Sequence, residues 1–147
     1  MQRALELAHL GKGKVAPNPM VGCVIVKDGE VIGEGWHDKY GEAHAEQMAI
    51  DKVKDKIKLA GSTVFVTLEP CAHYGKTPPC CDLLIREKVS KVIICNVDPN
   101  PLVNGEGIRR MRAAGIVIET GLLKEEGGKL NKDFFDLMEK KKANFLA

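Results

Sequence analysis

The stretch Val21-Gly22-Cys23-Val24-Ile25-Val26-Lys27-Asp28-Gly29-Glu30-Val31-Ile32-Gly33-Glu34-Gly35-Trp36 decides how the chain begins its sheet. Val21 to Val26 is a β-branched run, Asp28-Gly29 is a two-residue hairpin signal, and Val31 to Trp36 returns as the partner strand. The two strands are therefore predicted to be antiparallel. After Trp36 the apolar period changes. Gly41-Glu42 opens a helical segment carrying Ala45, Met48, Ala49, Val53 and Ile57, predicted to end before Gly61. Thr63 to Thr67 reads as a strand, Cys80 to Lys88 as a helix on Cys81, Leu84 and Ile85, and Lys91 to Asn96 as the next strand. Ile108, Met111 and Ala114 mark a helix stopped by Gly115, and Ile116 to Ile118 is the last strand.

The flanks complete the reading. Met1 to Leu10, with Ala4, Leu5 and Ala8 on one face and Gly11 as a stop, predicts a short amphipathic helix. Pro17-Asn18-Pro19 forces an irregular loop, because proline fixes its own φ and restricts the residue before it. Leu130, Phe134, Leu137 and Met138 mark a closing helix, and Gly127-Gly128 is expected to break or delay its start. Strands joined through helices are parallel with right-handed crossovers. The expected fold is α/β: a mixed five-stranded sheet with an antiparallel first hairpin, parallel later strands and helices on both faces, three layers deep. Ligands in such sheets sit at the C-terminal strand edge.

At 147 residues the chain is expected to be one domain, 1–147, with no room for a second. A net charge of +2 offers no strong electrostatic footprint for nucleic acid, and Lys140-Lys141-Lys142 reads as a solvated helix end. No apolar run reaches membrane-spanning length, and the N-terminus lacks a signal-peptide pattern, so a cytoplasmic location is expected. Five cysteines suit no disulfide scaffold; metal binding or burial accounts for them better.

His44-Ala45-Glu46, Cys71 and Cys80 carry the chemistry. One His and two Cys make three zinc ligands, one short of a closed structural site, which leaves a position for water. Glu46 stands where a carboxylate handles that water's protons. Two residues apart, His44 and Glu46 do not share a face in mid-helix, so both must lie at a helix N-terminus with the metal off its end. Taken singly, each has a plain structural reading. Cys81 should point to the apolar side of its helix, and Cys23 and Cys95 read as buried strand residues. His9 is an ordinary helix-face residue, and Trp36 packs at a strand end.

The motif stretches resemble one family. Pro17-Asn18-Pro19-Met20-Val21-Gly22, Gly35-Trp36-His37, Gly41-Glu42-Ala43-His44-Ala45-Glu46, Thr67-Leu68-Glu69-Pro70-Cys71, His73-Tyr74-Gly75-Lys76-Thr77-Pro78-Pro79-Cys80 and Asp98-Pro99-Asn100-Pro101 look like the deaminase domain of the bifunctional riboflavin-biosynthesis pyrimidine deaminase/reductase, within the cytidine/deoxycytidylate deaminase superfamily. The resemblance runs in order through nearly the whole chain. The general signature is H-x-E followed by P-C-x-x-C. Here the second cysteine comes nine positions after the first, and that longer loop is the most specific part of the likeness.

The resemblance implies a cytidine-deaminase-like fold and zinc-dependent hydrolytic deamination of 2,5-diamino-6-(5-phosphoribosylamino)pyrimidin-4(3H)-one to 5-amino-6-(5-phosphoribosylamino)uracil. It implies one Zn²⁺ held by His44, Cys71 and Cys80, Glu46 as proton carrier, and Asn18, His37, His73, Lys76, Asp98 and Asn100 lining the substrate pocket. It also implies a homo-oligomer, dimer or tetramer. Competing structural readings are a solvated loop charge for Lys76 and turn residues for Asn18, Asp98 and Asn100. The family's reductase domain is not expected here, since the chain lacks a Rossmann glycine fingerprint, and no nucleotide cofactor is expected. Two alternatives remain: another zinc deaminase acting on tRNA adenosine or deoxycytidylate, and a non-catalytic zinc-stabilised domain. The near-neutral charge and 5% aromatic content tell against a tRNA substrate. A purely structural zinc domain has no need of Glu46.

Overall fold

The computed structural model describes residues 1–74, 77–100 and 104–146. Strands β1 (Gly22–Lys27) and β2 (Glu30–Trp36) form the predicted antiparallel hairpin. Asp28 (φ 51°) and Gly29 (φ 79°) are both left-handed, the turn geometry whose twist matches that of the flanking strands. A register shift between Ile25 and Val26 marks a bulge. The sheet continues with β3 (Thr63–Leu68), β4 (Lys91–Asn96) and β5 (Val117–Thr120) in the order β2-β1-β3-β4-β5. β3 is antiparallel to β1, and β3, β4 and β5 are parallel to one another.

Alternation along the strands sends apolar side chains to both faces. Cys23, Ile25, Val64, Val66, Val92 and Ile94 point into the larger core, beneath α2 (Ala45–Lys52), α3 (Cys80–Arg86) and α4 (Glu106–Ala113). Val24 points the other way, under Ala4 and Leu7 of α1 (Gln2–His9), which lies beside α5 (Lys124–Leu130). Helix α6 (Lys132–Leu146) ends the chain. The layers are α/β/α, as the pattern predicts. At Gly35 of β2 the α2 backbone comes so near that an added Cβ would lie 2.5 Å from the Ala49 nitrogen. Only glycine lets α2, and with it His44 and Glu46, sit this close to the sheet. Among the described residues no helix is long and apolar enough to cross a membrane.

Three local expectations are corrected. The helix read from Gly41 to Gly61 is much shorter: residues 37–44 are irregular and Val53 is already extended (φ −68°, ψ 119°). A separate 3-10 turn, Lys56–Leu59, follows, started by the Asp55 side chain accepting from the Ile57 N–H at 3.2 Å. Ile57 is 84% exposed, and Leu59 takes the buried position instead. Second, Gly127 and Gly128 do not delay a helix but lie inside one, α5. A Cβ on Gly127 would strike Asn96 and Cys95 at the end of β4, so the glycine lets α5 lie on the sheet. Third, in α6 Met138 is buried while Leu137 is exposed, because only one narrow side of that helix meets the body of the protein.

Candidate metal centre and active site

The C-terminal ends of β2, β3 and β4 and the start of β1 share one edge of the sheet. His44 ends the loop after β2 and is the N-cap residue of α2 (φ −72°, ψ 164°), with Glu46 one residue inside the helix. This is the end-on placement that their two-residue spacing demands. Cys71 follows β3, and Cys80 opens α3. The Cys80 N–H donates to the Cys71 sulfur at 3.2 Å, and the Cys81 N–H donates to the Cys71 carbonyl at 3.1 Å, closing the long loop between the two cysteines.

His44 Nδ1 lies 3.4 Å from the Cys80 sulfur and 3.7 Å from the Cys71 sulfur, and the three donor atoms fall within 4.8 Å of one another. A tetrahedral zinc with ordinary bond lengths separates a sulfur and a nitrogen ligand by about 3.6 Å. The donor set and its spacing therefore fit Zn²⁺. His44 reaches solvent while Cys71 is half-buried and Cys80 buried, so the centre opens to one side. Cys81 is buried among core residues, its sulfur 3.6 Å from Asp82 Oδ1, away from the trio. Cys23 and Cys95 are buried in their strands, and burial raises both thiols.

The charges at the centre are strongly coupled. The Cys80 thiol, then His44 and the Cys80 N–H, stabilise a thiolate on Cys71 and pull its pKa down. The same contact pushes Cys80 up, and hydrogen bonding to Cys71 raises His44. Glu46 is 4% exposed; burial, reinforced by the nearby Cys71 charge, lifts its carboxyl to about 7.

Beside these groups is a cavity of about 300 Å³. Of the six expected pocket residues, Asn18, His37, His73, Asp98 and Asn100 line it; Lys76 lies outside the described residues. His37 is 3% exposed, with Nδ1 3.2 Å from the Ala43 carbonyl and Nε2 3.2 Å from the Asn18 amide nitrogen. A carbonyl only accepts, so Nδ1 carries the proton and Nε2 accepts from Asn18. Burial lowers the pKa of His37, which favours this neutral form. His37 thus braces the residue before His44, and the two rings meet edge-on with centroids 5.5 Å apart. Burial raises the Asp98 carboxyl.

Five lining residues, Pro19, Val21, Leu68, Glu69 and Phe134, were given no pocket role by the sequence reading. Phe134 reaches the cavity from α6, and no local signal brings a residue so far along the chain to the site. Glu69 sits within a quoted motif, but its partners lie 29 to 39 residues further on. A groove of about 550 Å³ between the loop preceding β1 and the start of α6 adjoins the cavity, sharing Asn18 and Phe134. It holds none of the metal-binding trio.

An α/β/α sheet presenting His-x-Glu at one helix start and a cysteine at the next is the arrangement of a zinc-dependent deaminase. The chain belongs to the cytidine and deoxycytidylate deaminase family, whose zinc-binding region matches residues 1–96. It is 51% identical over 138 residues to a diaminohydroxyphosphoribosylamino-pyrimidine deaminase of Buchnera aphidicola subsp. Schizaphis graminum, covering 94% of this chain and 92% of that one. It is also 51% identical over 138 residues to the riboflavin biosynthesis protein RibD of Escherichia coli, spanning 37% of that protein's length. Among solved structures, the deaminase/reductase of Thermotoga maritima matches with a TM-score of 0.90 at 50% identity, over 96% of this chain and 40% of that one.

Proposed function

We propose that the chain deaminates 2,5-diamino-6-(5-phosphoribosylamino)pyrimidin-4(3H)-one by hydrolysis, releasing ammonia and 5-amino-6-(5-phosphoribosylamino)uracil. The observation that carries this reading is a donor trio spaced for tetrahedral zinc with a buried carboxyl beside it, in a chain half identical to named deaminases of this substrate. His44, Cys71 and Cys80 would hold the ion. When bound, zinc supplies a Lewis acid that acidifies water at neutral pH.

Glu46 takes a proton from the attacking water and delivers it to the ring nitrogen next to the reacting carbon. It then carries the water's second proton to the departing amino group, so that water and the exocyclic amine become a carbonyl and ammonia. Burial, which favours the protonated carboxyl, suits a group that must donate as well as accept a proton. Asn18, His73, Asp98 and Asn100 orient the pyrimidine, His37 acts in the same pocket by bracing Asn18, and Lys76 is assigned to that pocket from the sequence resemblance. The homo-oligomer expected from that resemblance belongs to this proposal too, and sedimentation equilibrium tests it.

The test is zinc content by elemental analysis alongside ammonia release from the ribotide. One zinc per chain with turnover supports the proposal. Turnover of deoxycytidylate or a tRNA anticodon adenosine, with none of the ribotide, replaces it with the other deaminase readings.

A further inference from the structure

Glu69 stands two residues before Cys71, is 5% exposed, and takes no part in the proton transfers described above. Its carboxylate accepts four backbone N–H groups. Oε1 receives Asp98 and Gly105 at 3.1 Å each; Oε2 receives Gly107 at 3.0 Å and Ile108 at 3.4 Å. A carboxylate offers about four lone-pair sites, so Glu69 has none left for a ligand even though it touches the cavity.

These donors lie at and beyond Asp98 and Asn100, the two described residues of the stretch after β4 that line the cavity. Asp98 and Gly105 bracket the stretch holding Asp98 and Asn100, both of which line the pocket. The near part of that stretch is tied to itself: Asp98 Oδ1 accepts from the Asn100 N–H at 2.9 Å, and the Asn104 amide donates to the Asp98 carbonyl at 2.8 Å. Glu69 ties it to the end of β3. At Gly107 the start of α4 comes so close to the Pro70 carbonyl that a Cβ has no room. The segment that delivers Cys71 to the metal centre therefore also seats Asp98 and the start of α4.

We infer that Glu69 is a positioning residue for substrate binding: by tying Asp98 to the start of α4, it sets the distance of Asp98 and Asn100 from the metal centre. The effect on turnover rests on the ribotide-deaminase reading; the effect on that placement does not.

Glu69→Gln keeps the volume but turns an NH₂ toward N–H donors. The first arm is amide hydrogen exchange, which needs no substrate. Asp98, Gly105, Gly107 and Ile108 are expected to lose protection, and unchanged exchange at these amides overturns the inference. The second arm is kinetic. Zinc stays at one per chain, KM for the ribotide rises about 10- to 100-fold, and kcat changes far less.

Adding Asn100→Ala then raises KM by less than the product of the two single effects, because both act through one segment. Independent, multiplying effects overturn the inference, as does a lower melting temperature with KM unchanged, or loss of zinc in step with activity. If Glu69→Gln does not fold, Gly107→Ala, which lifts the α4 start off Pro70, must reproduce the rise in KM. Absence of ribotide turnover in the unaltered protein sinks the proposed substrate and leaves the exchange arm standing.

Discussion

Glu46 sits one residue inside α2, beside a cysteine pair, almost fully buried but lining the cavity. Glu46→Gln preserves shape and removes the proposed proton carrier. Ammonia release should fall roughly 10²- to 10⁴-fold with zinc still at one per chain; a variant that keeps its activity would return the site to a structural role. The adjacent cysteines divide the same way. Cys80→Ala should abolish stoichiometric zinc, whereas Cys81→Ala should leave it intact and cost about 1 kcal/mol of stability from lost core packing. Elemental analysis and urea denaturation separate the two. That Cys80 rather than Cys81 would be the ligand follows from the helix start: the first residue of α3 faces back to Cys71, and the second faces the core.

At the scale of elements, neighbouring glycines in α5 predict opposite outcomes. Gly128 has open space where a Cβ would go, so Gly128→Ala should stabilise the protein by roughly 0.5–1 kcal/mol through helix propensity. Gly127 abuts the end of β4, so Gly127→Ala should destabilise it by about 1–3 kcal/mol. Equal effects in chemical denaturation would mean that α5 does not lie on the sheet as described. Helix α1 is tied to β2 by Arg3, whose Nε and Nη2 reach Glu34 at 2.7 and 3.2 Å. The Arg3 hydrogen bonds hold Glu34 below its ordinary value of 4.5. This contribution is therefore present above pH 4.5 and is lost as pH falls through the lowered value. Arg3→Ala should lower the melting temperature slightly at pH 7 and not at strongly acid pH, a small effect because both groups contact solvent.

For the whole molecule, zinc would join the start of α2 to the β3–α3 segment, so binding to the folded state should stabilise it. At free zinc 100-fold above its dissociation constant the gain is about 2.7 kcal/mol. Chelator treatment should lower the melting temperature in calorimetry, and zinc should restore it. The stripped protein should stay folded, because the main core is built without the ligands His44 and Cys71. An unchanged melting temperature would argue against a tight site.

The β-branched runs, the Asp28-Gly29 turn and the alternation of strand and helix were enough to derive the mixed sheet and its layers, because those signals act between near neighbours. The clustering of the trio, with Glu46 placed beside it, was legible because residue type and spacing constrain metal chemistry directly. Gly115 marked the stop of α4 in advance, but where α2 stops and what seats each helix only the structure decided. Ile57 continues the helical period yet lies exposed, since Asp55 starts a new turn, and Gly127 breaks the propensity rule because β4 lies underneath it. Glu69 and Phe134 gain their places only when segments far apart in the chain meet, and no local pattern encodes such a meeting.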